Sequence, residues 1–279
     1  MIAVRLLAVL LLAGCATSAT PPPLAVMTYN IRLHLASDGP NAWPHRKDAV
    51  AAIAAEADLV GVQEALPEQL ADLDAALPRF ARFGTGRSAE RSGEHTAVYF
   101  RTSRLELLDH DTFWLSETPS VAGSKGWDAA YERIATWGKM RDRRSGRTFY
   151  LFNTHFDHVG AEARRESARL LVSRIDRIAG DAAVLVTGDF NDVAGSEFFE
   201  IMTAAGLGDA HSLSRTPPLG PDSTWNAFRV VEPGRRIDFI FVRGPTEILS
   251  HATSPATLDD GRFPSDHLPV LAEVRVGSD

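Results

Sequence analysis

AVLVTGDFND, Ala183 to Asp192, runs from a short aliphatic stretch straight into a glycine, two acids and an asparagine. A run this brief, rich in Val and closed by turn residues, reads as a strand buried on both faces. The polar residues begin where the strand stops, which is where ligands sit in layered α/β proteins. Asp189 and Asn191 are two apart, so an extended backbone would aim both the same way, and Gly188 allows a ligand to approach the chain closely. Alone, the segment could equally be a strand followed by an ordinary Asp/Asn turn.

Seven further runs share its character: Leu24–Ile31, Leu59–Gln63, Thr96–Arg101, Ile134–Met140, Phe149–Thr154, Ile237–Val242 and Val270–Val276. They are rich in Val, Ile, Phe and Thr and bounded by turn formers, as strands are. Between them, Arg46–Ala57, Pro67–Leu77, Ala161–Ala179 and Ser196–Ala205 place apolar residues at helical spacing. Strands outnumber helices and several are joined by turns alone. RDRRSGR at Arg141 to Arg147 is the clearest of these turns, a basic tip best read as solvated. The pattern predicts an α/β layered domain with mixed sheets.

The chain has 279 residues, 44% hydrophobic and 23% charged, with a formal charge of −7. That balance argues against non-specific grip on nucleic acid, which needs clustered Lys and Arg. MIAVRLLAVLLLAGC carries one positive residue, Arg5, an apolar core and small residues before Cys15, the single cysteine. The core is shorter than the roughly 18 residues of a membrane-spanning helix, and reads as a secretory signal. Leu12-Ala13-Gly14-Cys15 resembles a bacterial lipoprotein signal, with a plain signal peptide and an incidental cysteine as the alternative. The expected organisation is a signal peptide over 1–14, a lipidated tether over 15–23 (Cys15 acylated, then ATSATPPP) and a single domain over 24–279. Two acyl chains would hold such a protein stably on a membrane.

Polar residues collect where the predicted strands finish or start: Asn30, Glu64, Asn153, His155, Asp157, Asp189, Asn191, Asp238, Asp266 and His267. Each taken singly is usually a turn former or a satisfied core residue. Together they could converge on one sheet edge. The carboxylates are hard oxygen ligands suited to Mg²⁺, Mn²⁺ or Ca²⁺, and no HExxH run or cysteine pair suggests zinc.

TYNIR, VGVQE, FNTHFDH, VTGDFND, RRIDFIFV and PSDHLPV resemble, in order, the motifs of the endonuclease/exonuclease/phosphatase superfamily, the fold of DNase I, exonuclease III-type repair nucleases, neutral sphingomyelinases, inositol polyphosphate 5-phosphatases and deadenylases. WLSETPSVAGSKGWDAAYERIATW and GAEARRESARLL look like a small bacterial branch of it. The resemblance implies a four-layer α/β sandwich, two mixed central sheets flanked by helices with the site at one edge. It also implies Mg²⁺- or Mn²⁺-dependent hydrolysis of a phosphoester, with Glu64 and Asp266 at the metal and Asn30 beside Glu64, ordering both metal and phosphate. Asn191 and His155 would contact the phosphate, and Asp189 would orient water or the leaving oxygen. His267 would act on the phosphate as general base or electrostatic stabiliser with Asp238 behind it. Arg32 stands two residues after Asn30, where repair nucleases carry a second acidic metal contact, which leaves a two-metal site in question.

Arg133, in YERIATW, is a candidate phosphate contact outside the motifs, with an ion pair to Glu132 or a helix acid as its bland reading. Glu94 and His95 precede a strand and could line the cleft; Trp127, Trp225 and Phe228 could stack on substrate or simply fill core. The substrate stays open among nucleic acid, nucleotide, inositol phosphate and phospholipid. A monomeric enzyme at the bacterial cell envelope is expected, and the competing reading is a non-catalytic binding module that retains the fold.

Overall fold

Alternation along β1 (Leu24–Asn30) displays the layering in miniature. Leu24 and Val26 enter one apolar cluster, while Met27 and Tyr29 enter another on the opposite face. The computed structural model describes residues 22–277. The signal peptide, Cys15 and most of the tether lie outside the described residues.

After β1 come α1 (Lys47–Ala54), β2 (Leu59–Gln63), α2 (Pro67–Ala76), β3 (Phe80–Phe83), β4 (Val98–Arg101) and β5 (Leu105–Trp114). Next are β6 (Ile134–Asp142), β7 (Thr148–His155), α3 (Ala161–Ala179), β8 (Val184–Asp189) and α4 (Glu197–Ala204). The chain closes with β9 (Gly208–Asp209), α5 (Ala210–Leu213), β10 (Asp238–Arg243), β11 (Thr246–Thr253) and β12 (Val270–Val276).

Two six-stranded mixed sheets result, ordered β11-β12-β1-β2-β4-β3 and β5-β6-β7-β8-β10-β9. Each holds one parallel pair, β1 with β2 and β7 with β8, amid antiparallel neighbours. Leu185, Ile240, Leu151 and Val274 pack between the sheets. Outside the first sheet, Val50, Ile53, Leu70 and Leu73 of α1 and α2 cover Val60 and Val62. Outside the second, α3 and α4 cover a phenylalanine cluster in which Phe190 stacks on Phe198 at 5.1 Å. Each such buried ring contributes roughly 2–3 kcal/mol. These are the four layers expected. No described helix is long and apolar enough to cross a membrane.

The sheets also touch through polar atoms. Asn153 donates to Val62 O and Ala97 O, and its Oδ1 accepts from Gln63 Nε2 at 2.7 Å and Thr187 Oγ1 at 3.1 Å. It is an inter-sheet strut in the core and does not reach the cleft, although its motif position suggested a strand-end polar residue. Gly61 makes the approach feasible, since a Cβ there would lie 2.3 Å from Thr187 Oγ1. The basic turn is the β6–β7 hairpin tip, exposed at Arg143 and Arg144.

Candidate active site

The register of the two parallel pairs builds the site. Asn30 lies opposite Gln63, and His155 opposite Asp189, so both pairs finish at one edge of the sandwich. Antiparallel neighbours deliver their opposite ends to the same place. Asp238 opens β10 directly across from Asp189, and Arg133 precedes β6 beside the end of β7. Asp266 and His267 lie in the loop leading into β12, where His267 bridges to Trp225. A cleft of about 940 Å³ runs over these ends.

Asn30, fully buried, joins the two sheets at the cleft floor. Its Nδ2 donates to Glu64 Oε1 at 3.0 Å and to Asp189 Oδ2 at 2.9 Å. Glu64 follows β2 in a left-handed conformation, φ 62°, which turns its carboxylate into the cleft, where Oε2 accepts from Leu33 N at 2.9 Å. Burial raises Glu64, but the Leu33 and Asn30 hydrogen bonds and the charges of His267 and Arg32 outweigh it and hold the group below the usual carboxylate range. Asp266 goes the other way: burial, joined by the charge of Glu64, raises it against the pull of His267 and Arg32.

His267 Nδ1–H donates to Asp238 Oδ2 at 2.9 Å, and its Nε2 lies 3.7 Å from Asp189 Oδ2. Burial disfavours its charge, yet Asp238 and Asp189 overcome that and raise it well above the ordinary histidine value. Asp189 is pushed up to about 7 by burial and by Asp238. Its Oδ1 accepts from Asn191 N at 2.9 Å. Asn191 is not in extended backbone as its spacing suggested. It is left-handed, φ 52°, and its Nδ2 donates to Phe156 O at 3.0 Å, so Phe190 can turn into the phenylalanine cluster while Asp189 and Asn191 both line the cleft.

His155 Nε2 lies 3.5 Å from the same Asp189 oxygen, but burial and the guanidinium groups of Arg133 and Arg87 lower it well below the ordinary value. Arg133 pairs with neither Glu132 nor a helix acid. Its Nε donates to Asp157 Oδ2 at 3.2 Å and its Nη2 to His158 Nδ1 at 3.0 Å. Glu94 pairs with Arg87 at 2.6 Å on the same wall, and Trp225 faces the cleft from across it. Trp127 and Phe228 do not line the cleft, and Phe228 instead lies beneath Arg46.

Among the described residues, Asp189, Asp238 and His267 offer ligand atoms within 4.8 Å of one another. A cation there would need His267 to give up a proton that Asp238 and Asp189 favour. Glu64 and Asp266 fit a hard cation better: two repelling carboxylates face the cleft, and the nearest guanidinium to Asp266, Arg32 Nη1, is 3.7 Å away and shared with Asp38. An arginine at position 32 leaves no acid for a second metal contact at that point.

The supports of this geometry were not visible in the motifs. Arg46, almost fully buried, donates to Ile31 O, Pro264 O and Arg32 O, tying the loop after β1 to the loop before β12. Ser265 Oγ donates to Asn30 O at 2.7 Å, and Thr224 Oγ1 accepts from Ile237 N and Asp238 N. Arg46 looked like the first residue of a helix, and only its position at the N-terminal boundary of α1 hinted otherwise.

The model of the endonuclease/exonuclease/phosphatase family matches residues 27–267. The chain belongs to that family. Members of the endonuclease/exonuclease/phosphatase family are phosphoester hydrolases. A solved family member from Bacteroides vulgatus shares 40% identity at a TM-score of 0.86, covering 91% of this chain and 98% of its own. A mannosyl-6-phosphatase from Bacteroides thetaiotaomicron shares 32% at a TM-score of 0.85, covering 90% and 99%. Nocturnin of Drosophila melanogaster is 24% identical over 215 residues, 63% of this chain and 32% of that protein. The chain spans about a third of the length of the curated relatives it matches.

Proposed function

We propose that the cleft hydrolyses a phosphoester with the help of Mg²⁺ or Mn²⁺ held by Glu64 and Asp266, with Asn30 aligning Glu64. The observation that carries this reading is the meeting of a repelling carboxylate pair and a charged, carboxylate-backed His267 on one cleft floor. The cation supplies Lewis-acid stabilisation of a phosphoryl oxygen. His267, fixed by Asp238, directs a positive Nε2–H to charge developing on the phosphoryl group. Asn191 and neutral His155 hold the remaining oxygens, and Asp189 orients water or the leaving oxygen. Every motif acid and histidine is present, which disfavours a non-catalytic module.

The same proposal places the domain at the bacterial cell envelope, anchored through Cys15 and acting as a monomer. Palmitate incorporation that persists in Cys15→Ala would refute the anchor. For the chemistry, purified protein should hydrolyse p-nitrophenyl phosphate or a natural phosphoester with Mg²⁺ or Mn²⁺. Chelator or Asp189→Ala should abolish turnover, and activity that survives both would overturn the assignment.

A further inference from the structure

Beside the catalytic floor, a recess of about 10 Å³ opens among Glu64, Arg87, Glu94, Arg133 and His155. It has room for a single oxygen-sized group. Arg133 is 5% exposed, and its Nη1 is buried with no hydrogen-bond partner. Asp157 and His158 hold the other guanidinium nitrogens, so the side chain is locked with that donor unsatisfied. Leaving a buried, charged N–H unpaired costs on the order of 1–3 kcal/mol, which a bound acceptor would recover. Glu94 also lines the recess, with Arg87 engaging its Oε1.

The chemistry of the lining selects the occupant. A phosphoryl oxygen only accepts hydrogen bonds and would face the Glu94 carboxylate unfavourably. Glu132 and His95 line the recess too, and a metal cation drawn to Glu94 would have to displace Arg87 from it and sit beside Arg133. A hydroxyl accepts from Arg133 and donates to Glu94 at once. On the adjoining cleft wall, Tyr131 is 51% exposed, with Arg87 5.1 Å from its ring centre and His158 stacked at 5.9 Å. The exposed part of this fixed ring offers apolar contact to the C–H groups of a sugar.

We propose that the recess binds a hydroxyl of the leaving alcohol, and that the substrate is therefore the phosphate ester of a polyhydroxylated compound, a sugar phosphate. The inference rests on the phosphoester-hydrolase reading of the Asp189 and His267 centre. Its likeness to the Bacteroides thetaiotaomicron mannosyl-6-phosphatase is in keeping with this class. Glu94 and Arg133 are then specificity residues, acting through the leaving group.

The test compares kcat/KM on mannose 6-phosphate and on p-nitrophenyl phosphate, which has no hydroxyl, for wild type, Glu94→Gln and Arg133→Lys with Mg²⁺. A site built to pair a hydroxyl discriminates strongly against an analogue lacking it, so wild type should favour the sugar phosphate by at least about 10²-fold. Each variant should lose at least about tenfold more on the sugar phosphate than on the nitrophenyl ester, whose turnover also reports that the fold is intact. Equal losses on both substrates would make the recess a phosphate contact or a structural element and overturn the proposal alone. Wild-type inactivity on every phosphoester would remove the parent reading as well.

Discussion

His155 and His267 flank one carboxylate oxygen, Asp189 Oδ2, at 3.5 and 3.7 Å, and are buried to the same degree. They stand on opposite walls of the cleft and in opposite charge states. Burial disfavours the imidazolium of both. On the His155 wall, Arg133 and Arg87 add to that penalty; on the His267 wall, Asp238 at 2.9 Å reverses it. Residue type and burial therefore do not assign the role. The charge carried by the next side chain outward does, favouring a neutral imidazole on one wall and a positive one on the other.

The sharpest way to break this comparison is to remove the charge on one side. Glutamine keeps a neutral hydrogen-bonding group, so His267→Gln should lower kcat by about 10²–10⁴-fold. Asp238→Asn, which leaves the imidazole but not its counter-charge, should fall in the same range. A nearly normal kcat in Asp238→Asn alongside an inactive His267→Gln would show that the pair does not function as a unit.

The His267 wall also depends on a strut that the His155 wall lacks. Arg46→Met leaves the Ile31, Arg32 and Pro264 carbonyls without their donor. A loss of about 4 kcal/mol in unfolding free energy is expected, measured by urea titration, with kcat falling as well because the Asp266–His267 loop is released. A variant of normal stability and activity would mean that the loop is held from elsewhere.

A third histidine isolates burial from catalysis. His251 on β11 is buried far from the cleft, packed edge-on against His211 at 5.0 Å, and burial and His211 lower it to about 4. Its folded value lies below its unfolded value, so between about pH 6.5 and 4 the unfolded chain binds the extra proton. Stability should be full above about pH 6.5 and decline as pH falls towards 4, by at most about 3 kcal/mol. His251→Gln should flatten that part of the pH–stability curve, and an unchanged slope would assign it to other groups.

The smallest effect closes the comparison. His155→Gln replaces one neutral hydrogen-bonding group with another and should cost only about tenfold in kcat/KM. A loss as large as that of His267→Gln would mean that His155 works in its charged form, against the arginines around it.

The eight strands legible in the sequence are the eight interior ones. β3, β5, β9 and β11, which no apolar run announced, are the four sheet edges. An edge strand covers one flank only and tolerates solvent. LELLDHDTFW in β5 is exposed through its middle, and TEILSHAT in β11 is largely half-buried. The helices followed the same logic, with Ala161–Ala179 matched end to end and the other three shorter at their termini. In the site, Glu64, His155, Asp189, Asn191, Asp266 and His267 line the cleft, Asn30, Asp157 and Asp238 are buried supports of cleft residues, and Asn153 spans the sheets, because a polar residue at the end of a strand looks the same whether it faces ligand, a neighbour or the other sheet. Arg133 was legible as a cleft residue, but its Asp157 partner and its unpaired nitrogen were not.

The sequence by itself determined the layered α/β class, the interior strands and the residue types at their ends, because period-2 burial and turn chemistry are local and act on neighbours in the chain. Only the tertiary structure decided which ends meet. The registers of β1 on β2 and β7 on β8 bring Asn30, Glu64, His155 and Asp189 to one edge, and Arg46 pulls the loop of Asp266 and His267 down onto them. The charge of each histidine was decided there too, since Coulomb interactions depend on distance in space and no spacing along the chain states how far His267 lies from Asp238.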